Sequence, residues 1–176
     1  MIEVNNVSFS YENAANGAAI KDVQAQIPKG QVVLLCGESG SGKTTFSRLI
    51  NGLIPAYYEG DLSGHIHVAG KDTAEVELYE LVPCVGSVFQ NPKSQFYTLL
   101  TDTEIVFACE NLGLDRGDIL SRFEKTVTAL HLEKLLGKSL FALSGGEKQK
   151  IACASGCALM PDIFVLDEPT SNLDIG

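Results

Sequence analysis

The chain has 176 residues, 45% of them hydrophobic and 20% charged, with a net charge of −9, a pI near 4.7 and five cysteines. That is ordinary composition for a globular domain with a sizeable core, and the acidic balance, without a run of Lys and Arg, argues against a face that binds nucleic-acid phosphates. No apolar run approaches the roughly 18 residues of a membrane span, residues 1–4 lack a signal-peptide pattern, and scattered Cys36, Cys84, Cys109, Cys153 and Cys157 form no disulfide or zinc framework; a cytoplasmic protein is expected.

In chain order, residues 4–11 alternate and are rich in β-formers (Val4, Val7, Phe9, Tyr11), which predicts a half-buried strand. A turn at 13–17 precedes a second alternating strand, 20–27, and Pro28-Lys29-Gly30 is another turn. The apolar run Val32-Val33-Leu34-Leu35-Cys36 predicts a buried strand. It feeds Gly37-Glu38-Ser39-Gly40-Ser41-Gly42-Lys43-Thr44-Thr45, which opens a helix over 44–51. Residues 60–70 hold one more strand, with His65 and His67 alternating on its surface, and 85–89 a short buried one ending at Gln90-Asn91-Pro92. Helical spacing then predicts helices over 103–112, capped by Asp102 or Thr103, and 117–130, with His131 near the second helix's end. Residues 151–160, containing Cys153 and Cys157 as small packing residues, read as a buried helix, and Ile163–Leu166 as a buried strand running into Asp167-Glu168-Pro169.

Three segments carry chemistry. Residues 37–44 fit G-x-x-x-x-G-K-[ST] between a strand and a helix, a context in which backbone N–H groups and the helix dipole converge on a phosphate. Lys43 can reach the β- and γ-phosphates, and the Thr44 hydroxyl can ligate magnesium. An acid closing an apolar strand places Asp167 to hold that ion, and Glu168, diverging from it, becomes the candidate base for an attacking water. Ser144-Gly145-Gly146-Glu147 is a capping box that can also serve as a second anion site, through Ser144 and the Gly145 and Gly146 amides.

With Leu143-Ser144-Gly145-Gly146-Glu147 and Ser171-Asn172-Leu173-Asp174 in the same order, the chain resembles the ATP-binding subunit of an ABC transporter over essentially its whole length. Glu147 stands where that family most often has Gln. The resemblance implies an α/β fold: a phosphate-loop NTPase (RecA-like) core with an antiparallel β subdomain and a helical signature subdomain. It implies one domain over 1–176, with core at 1–89 and 159–176 and the helical part at 90–158. It further implies ATP and magnesium as ligands, Tyr11 stacking on adenine, Gln90 touching magnesium and the attacking water, and Asp174 crossing a dimer interface.

Two ATPase domains, identical, different or fused in one chain, would meet head to tail, with Ser144–Gly146 of one closing over the phosphate loop of the other. Val88-Phe89-Gln90-Asn91-Pro92 with Gln95-Phe96, Glu104 to Gly113, and Arg48-Leu49-Ile50-Asn51-Gly52-Leu53-Ile54-Pro55 are similar to the ATPases of energy-coupling-factor importers. This implies hydrolysis that powers uptake of a vitamin or metal ion, through a transmembrane coupling subunit and a substrate-binding membrane subunit, from the cytoplasmic face of the membrane. The alternative is a soluble ABC-type ATPase acting on ribosomes or DNA repair complexes. The family continues beyond Ser171–Asp174 with a strand and a γ-phosphate-contacting histidine that none of His65, His67 and His131 matches. A C-terminally truncated chain, weak or inactive alone, is therefore expected.

Overall fold

The computed structural model describes residues 1–12 and 19–170. The expected turn at 13–17 and the segment Ser171–Asp174, with Asp174, lie outside them. The chain divides into two units, 1–85 and 86–176.

The first unit is built on a four-stranded sheet of order β2-β1-β3-β4, from β1 (Ile2–Tyr11), β2 (Ile20–Ile27), β3 (Gly60–Val68) and β4 (Lys71–Asp72). All its pairings are antiparallel, as the alternation of β1 leads one to expect: Val4, Val7 and Phe9 are fully buried. Two helical pieces connect β2 to β3, α1 (Lys43–Ile50) and the single turn α2 (Leu53–Ala56). Helix α1 buries Leu49 and Ile50, and a further turn, α3 (Leu78–Leu81), buries Leu81. His65 is exposed, as expected, and its Nδ1 meets Asp72 Oδ2 at 2.8 Å across the β3–β4 hairpin. Burial alone would raise the Asp72 carboxyl, but the Ala74 N–H and the two histidines hold it below the usual range.

One expectation fails here. Residues 32–36 are irregular and exposed rather than a buried strand, Val32 completely and Leu34 to 85%. An apolar run makes a buried strand only where a neighbour supplies ladder hydrogen bonds and both faces are covered. No described residue pairs with 32–36, so nothing supplies that ladder.

Strand β5 (Val85–Val88), in the second unit but for its first residue, pairs with β6 (Ile163–Leu166) in a two-stranded sheet. Between them run α4 (Thr101–Asn111), α5 (Arg116–Leu130) and α6 (Gly145–Ala158), packed on one another. Ile105, Cys109 and Ile151 are fully buried among them. Strand β5 comes so close to α6 that a Cβ on Gly86 would lie 3.0 Å from Gly156 O and 2.8 Å from Pro161 Cγ. The end of α6 is tied down by Arg122, which donates to the carbonyls of Ala158 and Leu159, in keeping with a cation at a helix C-terminus. Burial pushes the Cys153 and Cys157 thiols up, as packing residues rather than reactive ones. His131 is the C-cap of α5, at φ 53°.

Two readings need correction. Strand β6 forms but is not buried: Phe164 is 41% and Leu166 50% exposed, because β5 is its sole ladder neighbour among the described residues. Helix α4 starts two residues earlier than expected, so neither Asp102 nor Thr103 caps it; the N-cap is Leu100. The buried Thr101 draws the chain into the helix early, its Oγ1 donating to Leu135 O and its N–H to Lys138 O. Asp102 instead accepts from Gly137 N–H at 2.8 Å, and Thr103 donates to Leu100 O.

Candidate functional site

In the first unit, the segment Gly37–Thr45 turns tightly at Glu38–Ser41, where Ser41 N–H donates to Glu38 O, and enters α1 at Lys43. Gly42 is the N-cap, at φ 90°. Only glycine suits it: the backbone is left-handed and an added Cβ would lie 2.6 Å from Ala19 O. No acidic residue stands in the first turn of α1, so its positive dipole end is uncompensated and suited to an anion. The Lys43 ammonium spans the loop, donating to Gly37 O at 2.9 Å and Glu38 O at 2.7 Å. Thr44 is half-buried, while Thr45 is buried and meets Tyr11 Oη at 3.1 Å.

Tyr11 is therefore fastened to the helix behind the loop. Its Oη also accepts from Arg48 at 3.0 Å, its ring meets Phe9 edge-on at 4.8 Å, and Arg48 in turn lies 4.1 Å over the Tyr58 ring. Motif matching gives no role to Arg48 or Tyr58; they surface only when the strand and helix are folded together.

In the second unit, β5 and β6 leave the sheet side by side, with Asp167 N–H donating to Val88 O at 2.9 Å. Gln90 and Glu168 each lie two residues beyond their strand and meet there, Gln90 Nε2 donating to Glu168 Oε2 at 2.6 Å. Glu168 holds φ 46°, a left-handed conformation that costs a non-glycine residue and that clusters at functional sites.

At the start of α6 the expected capping box is complete. Ser144 Oγ accepts from Glu147 N–H at 3.3 Å and Glu147 Oε2 from Ser144 N–H at 2.8 Å. These bonds from Ser144 hold the Glu147 carboxyl below the usual range. Its contribution is thus present above the ordinary glutamate range and is lost as pH falls through the depressed value. Gly145 and Gly146 form the first turn. Ser144→Ala should cost about 1 kcal/mol, read as a lower midpoint with unchanged slope in denaturant unfolding; an unchanged midpoint would discount the cap.

Thr44 in the first unit, and Asp167 and Gln90 in the second, each carry an oxygen of the hard kind that suits magnesium. Among the described residues no group of three or more His, Cys, Asp or Glu is arranged to hold a metal ion.

A glycine-capped phosphate loop, an acid-bearing strand end and a boxed glycine helix start define a phosphate-loop nucleotide-binding protein. The sequence pattern of the ABC transporter family matches residues 20–171, and the chain belongs to that family. It is 53% identical over 174 residues to a candidate ABC transporter ATP-binding protein of Treponema denticola, covering 99% of this chain and 35% of that one. It is 38% identical to the energy-coupling factor transporter ATP-binding protein EcfA1 of Enterococcus faecalis, covering 99% and 61%. Among solved structures, cbiO1 of Clostridium perfringens, part of the ABC transporter complex cbiONQ, matches with TM-score 0.82 and 27% identity, covering 98% of this chain and 67% of that one. The dimeric ATP-binding cassette MJ0796 bound to ADP and Pi matches with TM-score 0.80 and 26% identity, covering 99% and 77%. The chain thus spans from about a third to about three fifths of the length of these two curated relatives. Its fold class is the α/β class of ABC ATPase domains, with an antiparallel sheet and a helical part.

Proposed function

We propose that this chain is an ATP-binding and ATP-hydrolysing unit that drives import of a vitamin or transition-metal ion through a membrane partner. The hydrolytic reading rests on the Gln90–Glu168 pair, a carboxylate held at a strand end by an amide, in a family whose neighbour MJ0796 was caught after hydrolysis. The phosphate loop binds the triphosphate through its amides and Lys43, and Tyr11, with Arg48 behind it, receives the adenine. Thr44, Asp167 and Gln90 would hold magnesium, which neutralises charge on the phosphate oxygens. Glu168 takes a proton from the attacking water, and Gln90 orients that water and the carboxylate.

The likeness to EcfA1 and to cbiO1 supports the importer class and a peripheral place on the cytoplasmic face, against a transmembrane coupling subunit and a substrate-binding membrane subunit. A second ATPase domain completes the site head to tail, its Ser144, Gly145 and Gly146 closing over the bound phosphate. No nucleic-acid partner is proposed. None of the described helices is long and apolar enough to cross a membrane. Affinity purification of the full-length protein from detergent-solubilised membranes tests this: polytopic membrane proteins should co-elute. Co-elution of ribosomal RNA or DNA in their place would sink the importer reading.

A further inference from the structure

We infer that Gln95 is the positioning residue for Gln90, fastening the turn that presents Gln90 to both the β5 strand end and the signature helix α6. The inference rests on the proposed role of Gln90 in hydrolysis.

From Gln90 the chain makes one tight turn. Asn91 Oδ1 accepts from Lys93 N–H, Ser94 N–H and Oγ both donate to Asn91 O, and Gln95 N–H donates to Pro92 O. These bonds shape the turn beyond Gln90, and the Gln95 side chain ties it back to the strand with its entire amide. Its Oε1 accepts from Phe89 N–H at 3.2 Å, and its Nε2 donates to Ser87 O at 3.2 Å and to Ala152 O at 3.3 Å. Two of those partners flank Val88 on the strand that delivers Gln90; the third is a buried residue of α6, two turns from Ser144. One side chain therefore ties the strand end that presents Gln90 to α6, alongside the bond of Gln90 itself to Glu168. An unbranched amide of this length is required, since only Gln offers one acceptor and two donors from the end of three rotatable bonds. The segment beyond is braced separately: the buried Glu104 accepts from Tyr97 N–H, Thr98 N–H and Thr98 Oγ1. Loss of Gln95 thus frees the Gln90 turn without releasing the approach to α4.

The test is a double-mutant cycle in the full-length protein with magnesium–ATP. Gln95→Met keeps length and volume and removes all three bonds. Its kcat should fall about 10- to 100-fold, as for a small misplacement of a reacting group, while KM for ATP stays within about twofold. In a Gln90→Ala background the same change should have no further effect. Amide exchange at Phe89 should accelerate in Gln95→Met, with the rest of the helical part unchanged. Gln95→Glu, which keeps an acceptor for Phe89 N–H and removes both donors, is the second variant should the first not fold, and should show the same kcat loss. Equal losses in both backgrounds, a KM effect alone, or unchanged Phe89 exchange would overturn the positioning role. Unchanged turnover in Gln90→Ala alone would instead overturn the role of Gln90, and the inference with it.

Discussion

Replacing Lys43 by alanine should weaken magnesium–ATP binding by at least about 30-fold, the loss of some 2 kcal/mol of charge-assisted hydrogen bonding to phosphate. The ammonium already donates to Gly37 O and Glu38 O, so it lies across the mouth of the loop and needs only a small rotation to meet an incoming phosphate. The clearest readout is thermal unfolding of the full-length protein. At ligand near 100 times its dissociation constant, linkage gives the parent about 2.7 kcal/mol, a shift of about 5–10 °C for a domain of this size. In Lys43→Ala at the same concentration the shift should fall to about a third or less of the parent's. Without ligand the two proteins should unfold within about 1 kcal/mol of each other, because both carbonyls the lysine serves can turn to water. A parent that shows no shift, or a variant that keeps the whole shift, would remove the loop from the nucleotide site.

Much of the site is written locally and could be read before folding. The Gly37–Thr44 pattern states its loop-to-helix context, with the helix beginning at Lys43, one residue before the expected 44, behind a left-handed Gly42. Ser144 and Glu147 state theirs, three residues apart on one turn. Strand alternation in β1 is equally explicit, and its buried Val4, Val7 and Phe9 follow from it. What stayed hidden depends on partners far along the chain. Gln95 belongs to the importer-like pattern after Gln90, but its reach to Ala152, 57 residues on, is set only when the chain folds. Arg48 belongs to the importer-like stretch 48–55, but its ties to Tyr11 and Tyr58 are set only when strand and helix are placed. The expectation for residues 32–36 fails for a related reason. Apolar composition says that a segment would be stable when covered, but not which strand covers it, and no described strand pairs with 32–36. The early start of α4 belongs here too: Thr103 and Asp102 are good caps by composition, yet the buried Thr101, held by Leu135 O, outweighs them.

Glu168→Gln should abolish turnover while ATP remains bound. The change is close to isosteric. Glutamine offers Oε1 where the carboxylate offers Oε2, so it can still accept from Gln90 Nε2, which now lies 2.6 Å away. The backbone at φ 46° asks no more of glutamine than of glutamate, so neither local strain nor the turn at Pro169 changes. What disappears is the negative charge and the ability to take a proton from water. Removing a positioned base typically costs about 10²- to 10⁴-fold in rate, and ATP affinity should stay within about threefold, because the phosphate loop, Lys43 and Thr44 are untouched. Retained ATP has a second consequence. If two copies close over two nucleotides, with Ser144, Gly145 and Gly146 of each against the loop of the other, a variant that cannot hydrolyse should accumulate as the closed pair. Light scattering with magnesium–ATP should then show twice the protomer mass for Glu168→Gln, and a return to the protomer mass in Glu168→Gln combined with Lys43→Ala. Full turnover in Glu168→Gln would exclude the carboxylate as base. Lost turnover without any change in mass would leave the base in place and exclude nucleotide-driven pairing.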